Sequence, residues 1–360
     1  MPGINETMPQ KRLFNPEGTR DRSVQRLVGG PSTNLLEFDN CRYGWAEELY
    51  KKMRSFFWIP DELPLVDDKR QYPTLTPHEQ DAYKKTLSFL IFLDSIQIDN
   101  LGAIASYITA PEVTACLKAQ AFFETIHAQS YDYLLTSVVD HMTRDAVYDL
   151  WKDDSHLLRR NRFITDLYEK FIADPSPENF IRSCMADFLL EGVYFYSGFA
   201  FFYTLGRQDK MGGTVSMIRL IQRDENTHLA LFTDIMRTLM DENREWFTPG
   251  IMSDLTAMVK TAVTHEIEWG KYVTRNQILG LSDQAIEAYI KYLGNIRSKA
   301  VNLPEPYPDQ KTHPLSWIES YSSMNLTKTD FFERRVTNYQ KTGKNFNIGR
   351  LRPPSQNEQK

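Results

Sequence analysis

Cysteine is scarce in this 360-residue chain. There are three, Cys41, Cys116 and Cys184, and no C-x-x-C pair. That leaves no basis for a dithiol redox centre or a disulfide framework, and it fits reduced thiols in a cytoplasmic compartment. A basic excess is also missing: 42 Lys and Arg stand against 47 Asp and Glu, for a net charge of -5. The composition therefore gives no footprint for nucleic acid. No glycine-rich phosphate loop occurs, so a nucleotide is not expected to be cradled by this chain. The first twenty residues, MPGINETMPQKRLFNPEGTR, contain no apolar core and no signal peptide is expected. No alternating β-branched run between turn signals stands out, which argues against a sheet architecture.

Long apolar runs are few. FLLEGVYFYSGFAFFYTL, residues 188–205, has the length of a membrane span. Glu191 and several tyrosines interrupt it, and it reads instead as a helix buried on nearly all sides of a bundle, with no membrane involved.

Helix starts are what the chain has in quantity. TPHE at Thr76 supplies an N-cap, a first-turn proline and Glu79 as a capping box. TAPE at Thr109 repeats the pattern with Glu112, and Ser176 and Ser282 open further helices. Helices are predicted near 42–56, 77–106, 110–138, 155–172, 177–205, 214–240, 251–276 and 283–300, with a shorter one near 144–152. Residues 1–38 are polar and read as a flexible N-terminal segment. Residues 39–327 form the helical domain. Residues 328–360, with eight basic and three acidic groups, read as a flexible tail.

The chemistry lies in the helices. In AFFETIHAQSY, residues 121–131, Glu124, His127 and Tyr131 fall within about 60° of one another on a helix turning about 100° per residue. A second Glu-x-x-His, Glu225 and His228, lies in RLIQRDENTHLALF. Each half of the chain also carries a lone acid in an apolar helix, Asp94 in FLIFLDSIQIDN and Glu191 in DFLLEGVYF. Asp94 precedes Glu124 by 30 residues and Glu191 precedes Glu225 by 34. That is the spacing of a helical hairpin whose turn brings the second helix back to the height of the acid. Two hairpins would gather four carboxylates and two imidazoles. Four negative charges match two divalent cations, and donors rich in oxygen and free of thiolate favour iron or manganese. This is the ligand pattern of a ferritin-like bundle with a dimetal-carboxylate site.

The quoted motifs, together with SFFWIP around Trp58, NIRSKAVNL near Arg297, HPLSWI near Trp317 and TDFFERRVTNYQ near Tyr339, resemble the radical-generating small (β) subunit of class I ribonucleotide reductase over most of residues 40–340. The resemblance implies that Asp94, Glu124, His127, Glu191, Glu225 and His228 are metal ligands of a dinuclear centre, with two irons expected first and Mn/Fe or two Mn as the other pairings. It implies that Tyr131 carries a stable radical, shielded by Phe195, Phe199 and Ile221. It makes Trp58 and Asp224 members of an electron and proton path through His127, and Tyr339 the tail residue that relays the radical to a separate large (α) subunit, where ribonucleotides are reduced. A homodimer is implied as well. Two features depart from the family pattern: the tail end NIGRLRPPSQNEQK is basic and polar, and Gln120 stands where some relatives have tryptophan. The rival reading is a ferritin-like dimetal oxidase or hydroxylase acting on a small organic substrate.

Overall fold

The computed structural model describes residues 3–322. Among these residues the regular structure is helical, and the only β contacts are isolated bridges. Helices α1 (Gly44–Ser55), α2 (Val66–Gln71), α3 (Pro77–Ala105), α4 (Pro111–Val138), α5 (His141–Asp153) and α6 (Ser155–Ala173) come first. They are followed by α7 (Pro177–Leu189), a π-helical turn (Leu190–Tyr194), α8 (Tyr196–Gly206), α9 (Gly212–Glu242), α10 (Pro249–Thr274) and α11 (Asp283–Ala300).

The centre of the bundle is two hairpins. One is α3 with α4, the other α7–α8 with α9. α1 and α2 cover α4 and α9, α6 packs on α7, and α10 and α11 close the side of the π turn. Two of these elements, α3 and the continuous run Pro177–Gly206, are long and apolar enough to cross a bilayer. The second is buried along its whole apolar window by the other helices, as expected of a core helix.

Local chemistry explains most of the boundaries. α3 starts with the expected capping box, Thr76 Oγ1 accepting from Glu79 N at 3.2 Å and Glu79 Oε2 accepting from Thr76 N at 2.8 Å. The same letters at Thr109 do something else. The N-cap of α4 is Ala110 and carries no side-chain cap. Thr109 Oγ1 instead takes the Gly30 N–H at 2.9 Å and donates to Arg26 O at 2.8 Å. Glu112 Oε1 accepts the Arg42 and Tyr43 N–H groups at 2.9 and 3.1 Å. A local cap has given way to ties with a distant segment.

Those ties correct the expectation for the N-terminus. Residues 3–40 have little regular structure, yet Met8, Leu27 and Val28 are buried. Met8 N donates to Pro175 O, Thr109 N donates to Leu27 O, and Leu27 N donates to Glu242 Oε2. A few apolar anchors and backbone bonds to the bundle hold a segment whose average composition is polar. The tail beyond Ser322 lies outside the described residues.

The helix expected over 177–205 is also interrupted, at the π turn. By contrast, α9 begins where Asp68 of α2 provides for it. Asp68 Oδ1 accepts from Gly213 N at 2.8 Å, and Oδ2 accepts from Thr214 N at 2.6 Å and Thr214 Oγ1 at 2.7 Å. This carboxylate is buried and sits at the positive end of a 31-residue helix. Asp68→Ala is expected to cost about 2 kcal/mol, since it strands capped donors away from water. Thermal melting of the variant checks it, and an unchanged melting temperature would show that the cap is not needed.

Candidate metal centre

Each hairpin lifts its acid to the level of its Glu-x-x-His pair. Asp94 of α3 meets Glu124 and His127 of α4; Glu191 of the π turn meets Glu225 and His228 of α9. All six side chains are buried. They form two overlapping groups of four: Asp94, Glu124, His127 and Glu225, and Glu124, Glu191, Glu225 and His228. Within each group the donor atoms lie within 4.8 Å of one another.

The two glutamates shared by the groups are spanned oxygen by oxygen. His127 Nδ1 lies 3.3 Å from Glu124 Oε2 and 3.1 Å from Glu225 Oε1. His228 Nδ1 lies 3.0 Å from Glu124 Oε1 and 2.6 Å from Glu225 Oε2. Each shared carboxylate therefore turns one oxygen to each histidine, as a bridge between two cations must. Asp94 and Glu191 close the two ends, at 3.7 and 3.8 Å from the nearer histidine nitrogen.

The donor set fits a pair of metal ions. Asp94 Oδ1, Glu191 Oε2 and Glu225 Oε1 are buried without a hydrogen-bond partner. Orphaned acceptors of this kind are costly in a protein interior unless a cation meets them. Protonation equilibria show the same pressure. Burial, followed by the charges of Glu124 and Glu225, pushes Asp94 well above the carboxylate range. Burial and the same two glutamates do so for Glu191. Burial alone would lower both histidines, but Glu225 beside His127 and Glu124 beside His228 lead the carboxylates that hold them well above normal. Burial would raise Glu225, yet His127 and His228 keep it below the usual range. Proton affinity is thus raised at the place that suits cations.

Tyr131 sits on the Asp94 side. It is fully buried, and its Oη donates to Asp94 Oδ2 at 2.8 Å. Burial, then the Asp94 charge, raises its pKa well above that of a free phenol, so the group stays protonated. On the same side His127 Nε2 lies 3.4 Å from Asp224 Oδ2, which also accepts the Trp58 indole N–H at 2.7 Å. The other Asp224 oxygen takes Arg223 Nε at 3.2 Å and Nη2 at 3.0 Å. Trp58, Asp224 and His127 are thereby joined in one buried chain, and Asp94 Oδ2 lies 3.7 Å from His127 Nδ1. Phe195, Phe199 and Ile221 are buried as well; Phe195 packs on Phe89 and Phe199. Tyr339 lies outside the described residues.

Sequence reasoning missed what surrounds Glu191. Gln120 Nε2 donates to Glu191 Oε1 at 2.9 Å and to Glu124 Oε1 at 3.3 Å. Gln97 Nε2 donates to Glu191 Oε1 at 3.1 Å and to Asp187 Oδ2 at 2.9 Å. Asp187 is a further acid in the same apolar helix, four residues before Glu191, and that position was a readable signal. The π turn leaves backbone groups to satisfy, and three distant side chains do it. Arg297 Nε donates to Gly192 O at 3.1 Å, Arg160 Nη2 donates to Tyr194 O at 3.0 Å, and Glu266 Oε1 accepts from Ser197 N at 2.7 Å. Arg160 and Glu266 are themselves a buried ion pair at 2.6 Å. At Gly192 a Cβ would meet Leu229 Cδ1 at 2.9 Å and Arg297 Cδ at 3.3 Å, so a larger residue would have to move these side chains.

Comparison with known proteins agrees with this geometry. The family model described as ribonucleotide reductase, small chain, matches residues 36–314. A ribonucleoside-diphosphate reductase subunit beta from Treponema pallidum is 44% identical over 341 residues, which is 94% of this chain and 97% of that protein. The ribonucleotide reductase R2 subunit from Clostridium botulinum superposes with a TM-score of 0.86 at 48% identity, covering 88% of this chain and 99% of that one. The dimanganese(II)-NrdF of Streptococcus sanguinis, 18% identical, shares the fold with a TM-score of 0.70 over 80% of this chain and 99% of that one. Helical architecture, paired Glu-x-x-His hairpins and these relatives together place the chain in the ribonucleotide reductase small-chain family.

Proposed function

We propose that this chain is the radical-generating small subunit of a ribonucleoside-diphosphate reductase, with a dinuclear metal centre held by Asp94, Glu124, His127, Glu191, Glu225 and His228. The observation that carries the reading is the sharing of Glu124 and Glu225 between two complete donor groups, with Tyr131 bonded to one end. Oxygen-rich donors with one imidazole per ion suit two irons, two manganese ions or one of each. When bound and exposed to dioxygen, such a centre supplies a strong one-electron oxidant next to Tyr131.

The protein's own groups do the rest. Tyr131 gives up an electron and its phenolic proton, and Asp94 Oδ2 stands 2.8 Å away to receive that proton. Phe195, Phe199 and Ile221 belong to the apolar wall that keeps water and reductants from the oxidised phenol. The hydrogen bonds from Trp58 through Asp224 to His127 give electrons and protons a continuous route between the site and Trp58. Tyr339, in the 328–360 tail, relays the radical to a separate large subunit that binds the ribonucleotide, and the tail is the docking segment. The family resemblance supports a homodimer.

Tyr131→Phe should bind two metal ions per chain as the parent does, show no tyrosyl signal by electron paramagnetic resonance, and lose nucleotide reduction with the large subunit by two or more orders of magnitude. Retained turnover would move the stored oxidant from Tyr131 to the metals. Tyr339→Phe should form the same Tyr131 radical and associate with the large subunit nearly as tightly as the parent, yet fail at turnover, because phenylalanine cannot release a proton. Normal turnover at saturating large subunit removes the relay role.

Metal binding should also depend on pH with a defined sign. Asp94, Glu191 and both histidines have raised folded-state values. The stability they contribute is full below their unfolded values, about 4 for the acids and about 6.5 for the histidines, and is lost as pH climbs through the raised values. Glu225 has the opposite sign, but its window lies in acid, below its usual value of 4.5. Metal-free protein should therefore melt at progressively lower temperature from about pH 5 to about pH 8. Added Mn(II) should release protons and raise the melting temperature more at the alkaline end. A metal-induced shift that is the same at both ends would show that protons and metal do not compete for these atoms.

A further inference from the structure

The two oxygens of Glu191 face different surroundings. Oε1 accepts from Gln120 Nε2 at 2.9 Å and Gln97 Nε2 at 3.1 Å. Oε2 has no hydrogen-bond partner and lies toward His228 Nδ1 at 3.8 Å. A carboxylate held this way offers one oxygen to its metal and keeps the other bound to protein. The arrangement works only while both amides present their NH2 groups. An amide that flipped would aim a carbonyl at Glu191 and push it away.

Each amide has something that reads its orientation. Gln120 Nε2 has a second acceptor in Glu124 Oε1 at 3.3 Å. Gln97 is read at both ends. Its Nε2 gives a second hydrogen to Asp187 Oδ2 at 2.9 Å, and its Oε1 lies 3.5 Å from Asn100 Nδ2. Asn100 is oriented by the same acceptor, donating to Asp187 Oδ2 at 3.1 Å. Asp187 is fully buried and its Oδ1 has no partner, so it is an expensive residue to keep in an apolar helix. Its visible work is to receive these two amides.

We propose that Asp187 is a positioning residue for the metal centre: by fixing the Gln97 amide, it holds Glu191 so that Oε2 alone faces the ion of the second donor group. The inference rests on the dinuclear reading above. It gives Asp187, Gln97 and Asn100 a task on the Glu191 side only, leaving the Asp94, His127 and Tyr131 side untouched.

The test is a Mn(II) titration of metal-free protein followed by electron paramagnetic resonance, which separates a coupled pair of ions from an isolated one. The parent should take up two Mn(II) per chain and show a coupled pair. Gln97→Met and Asp187→Ala should weaken uptake of the second ion by about tenfold or more, the usual effect of removing a group that orients a ligand, and leave an isolated-ion spectrum at one equivalent. Asp187→Asn keeps a carbonyl acceptor in the same place and should bind both ions as the parent does. Melting without metal reports whether each variant folds, and Gln97→Met, which conserves volume, carries the test if Asp187→Ala does not fold. Parental uptake of both ions by the folded loss variants overturns the proposal. So does loss of the second ion in Asp187→Asn, which would make charge rather than amide orientation the cause. A parent that binds no Mn(II) overturns the dinuclear reading itself, and the proposal with it.

Discussion

Four carboxylates buried together in one space set the terms for the rest of this molecule. Asp94, Glu124, Glu191 and Glu225 cannot all be ionised together in an apolar bundle unless positive charge is brought among them, since the effective cost of a buried charge is several kcal/mol per ion. The bundle meets this in two ways. Without metal, burial and the neighbouring charges favour the protonated forms of the end carboxyls and the two imidazoles. With metal, the protons give way to cations. The long helices follow from the same constraint. A site at mid-height of the bundle needs helices that continue well past it on both sides, so that the polar centre is sealed by apolar turns above and below.

The two ends of the site are not equivalent. On the Asp94 side the surroundings are made of groups that can pass a proton or an electron: a phenol hydrogen-bonded to Asp94, and an imidazole, a carboxylate and an indole in hydrogen-bonded sequence. On the Glu191 side the groups that touch the carboxylate are the amides of Gln97 and Gln120, with Asp187 behind Gln97. A pair of Glu-x-x-His hairpins that look alike in the sequence, apart from Asp94 in one and Glu191 in the other, has thus been given different neighbours at its two ends.

That division also explains what could be read in advance. The grouping of the six side chains was legible because helical periodicity and hairpin length are local arithmetic: a step of three residues from Glu124 to His127, and of thirty from Asp94 to Glu124. The capping box at Thr76 was legible for the same reason. Its twin at Thr109 was not, because the arm around Arg26 and Gly30 competes for the same hydroxyl, and that contact spans about eighty residues of sequence. The ordered course of residues 3–40 was hidden by a composition that averages over Met8, Leu27 and Val28. The π turn was hidden more deeply. Its backbone is satisfied by Arg160, Glu266 and Arg297, from three helices far apart in sequence, and nothing in LLEGVY itself announces them.

The π turn has a further consequence. Asp187, Glu191, Phe195 and Phe199 stand four residues apart, and in an unbroken α-helix they would form one slowly winding stripe. The wider turn at Leu190–Tyr194 puts the helix out of phase with itself, so the stripe is cut and its halves serve different walls. The first half is polar and belongs to the acids and amides; the second is aromatic and belongs to the apolar core. One continuous rod of chain behaves as two helices spliced at a chosen angle, with no loop between them. The joint bears Glu191, and its alignment is held from outside by Arg160, Glu266 and Arg297. The position of Glu191 is thereby tied to the packing of helices that touch no other part of the donor set through those bonds, and a disturbance of α6, α10 or α11 has a mechanical route to the metal site.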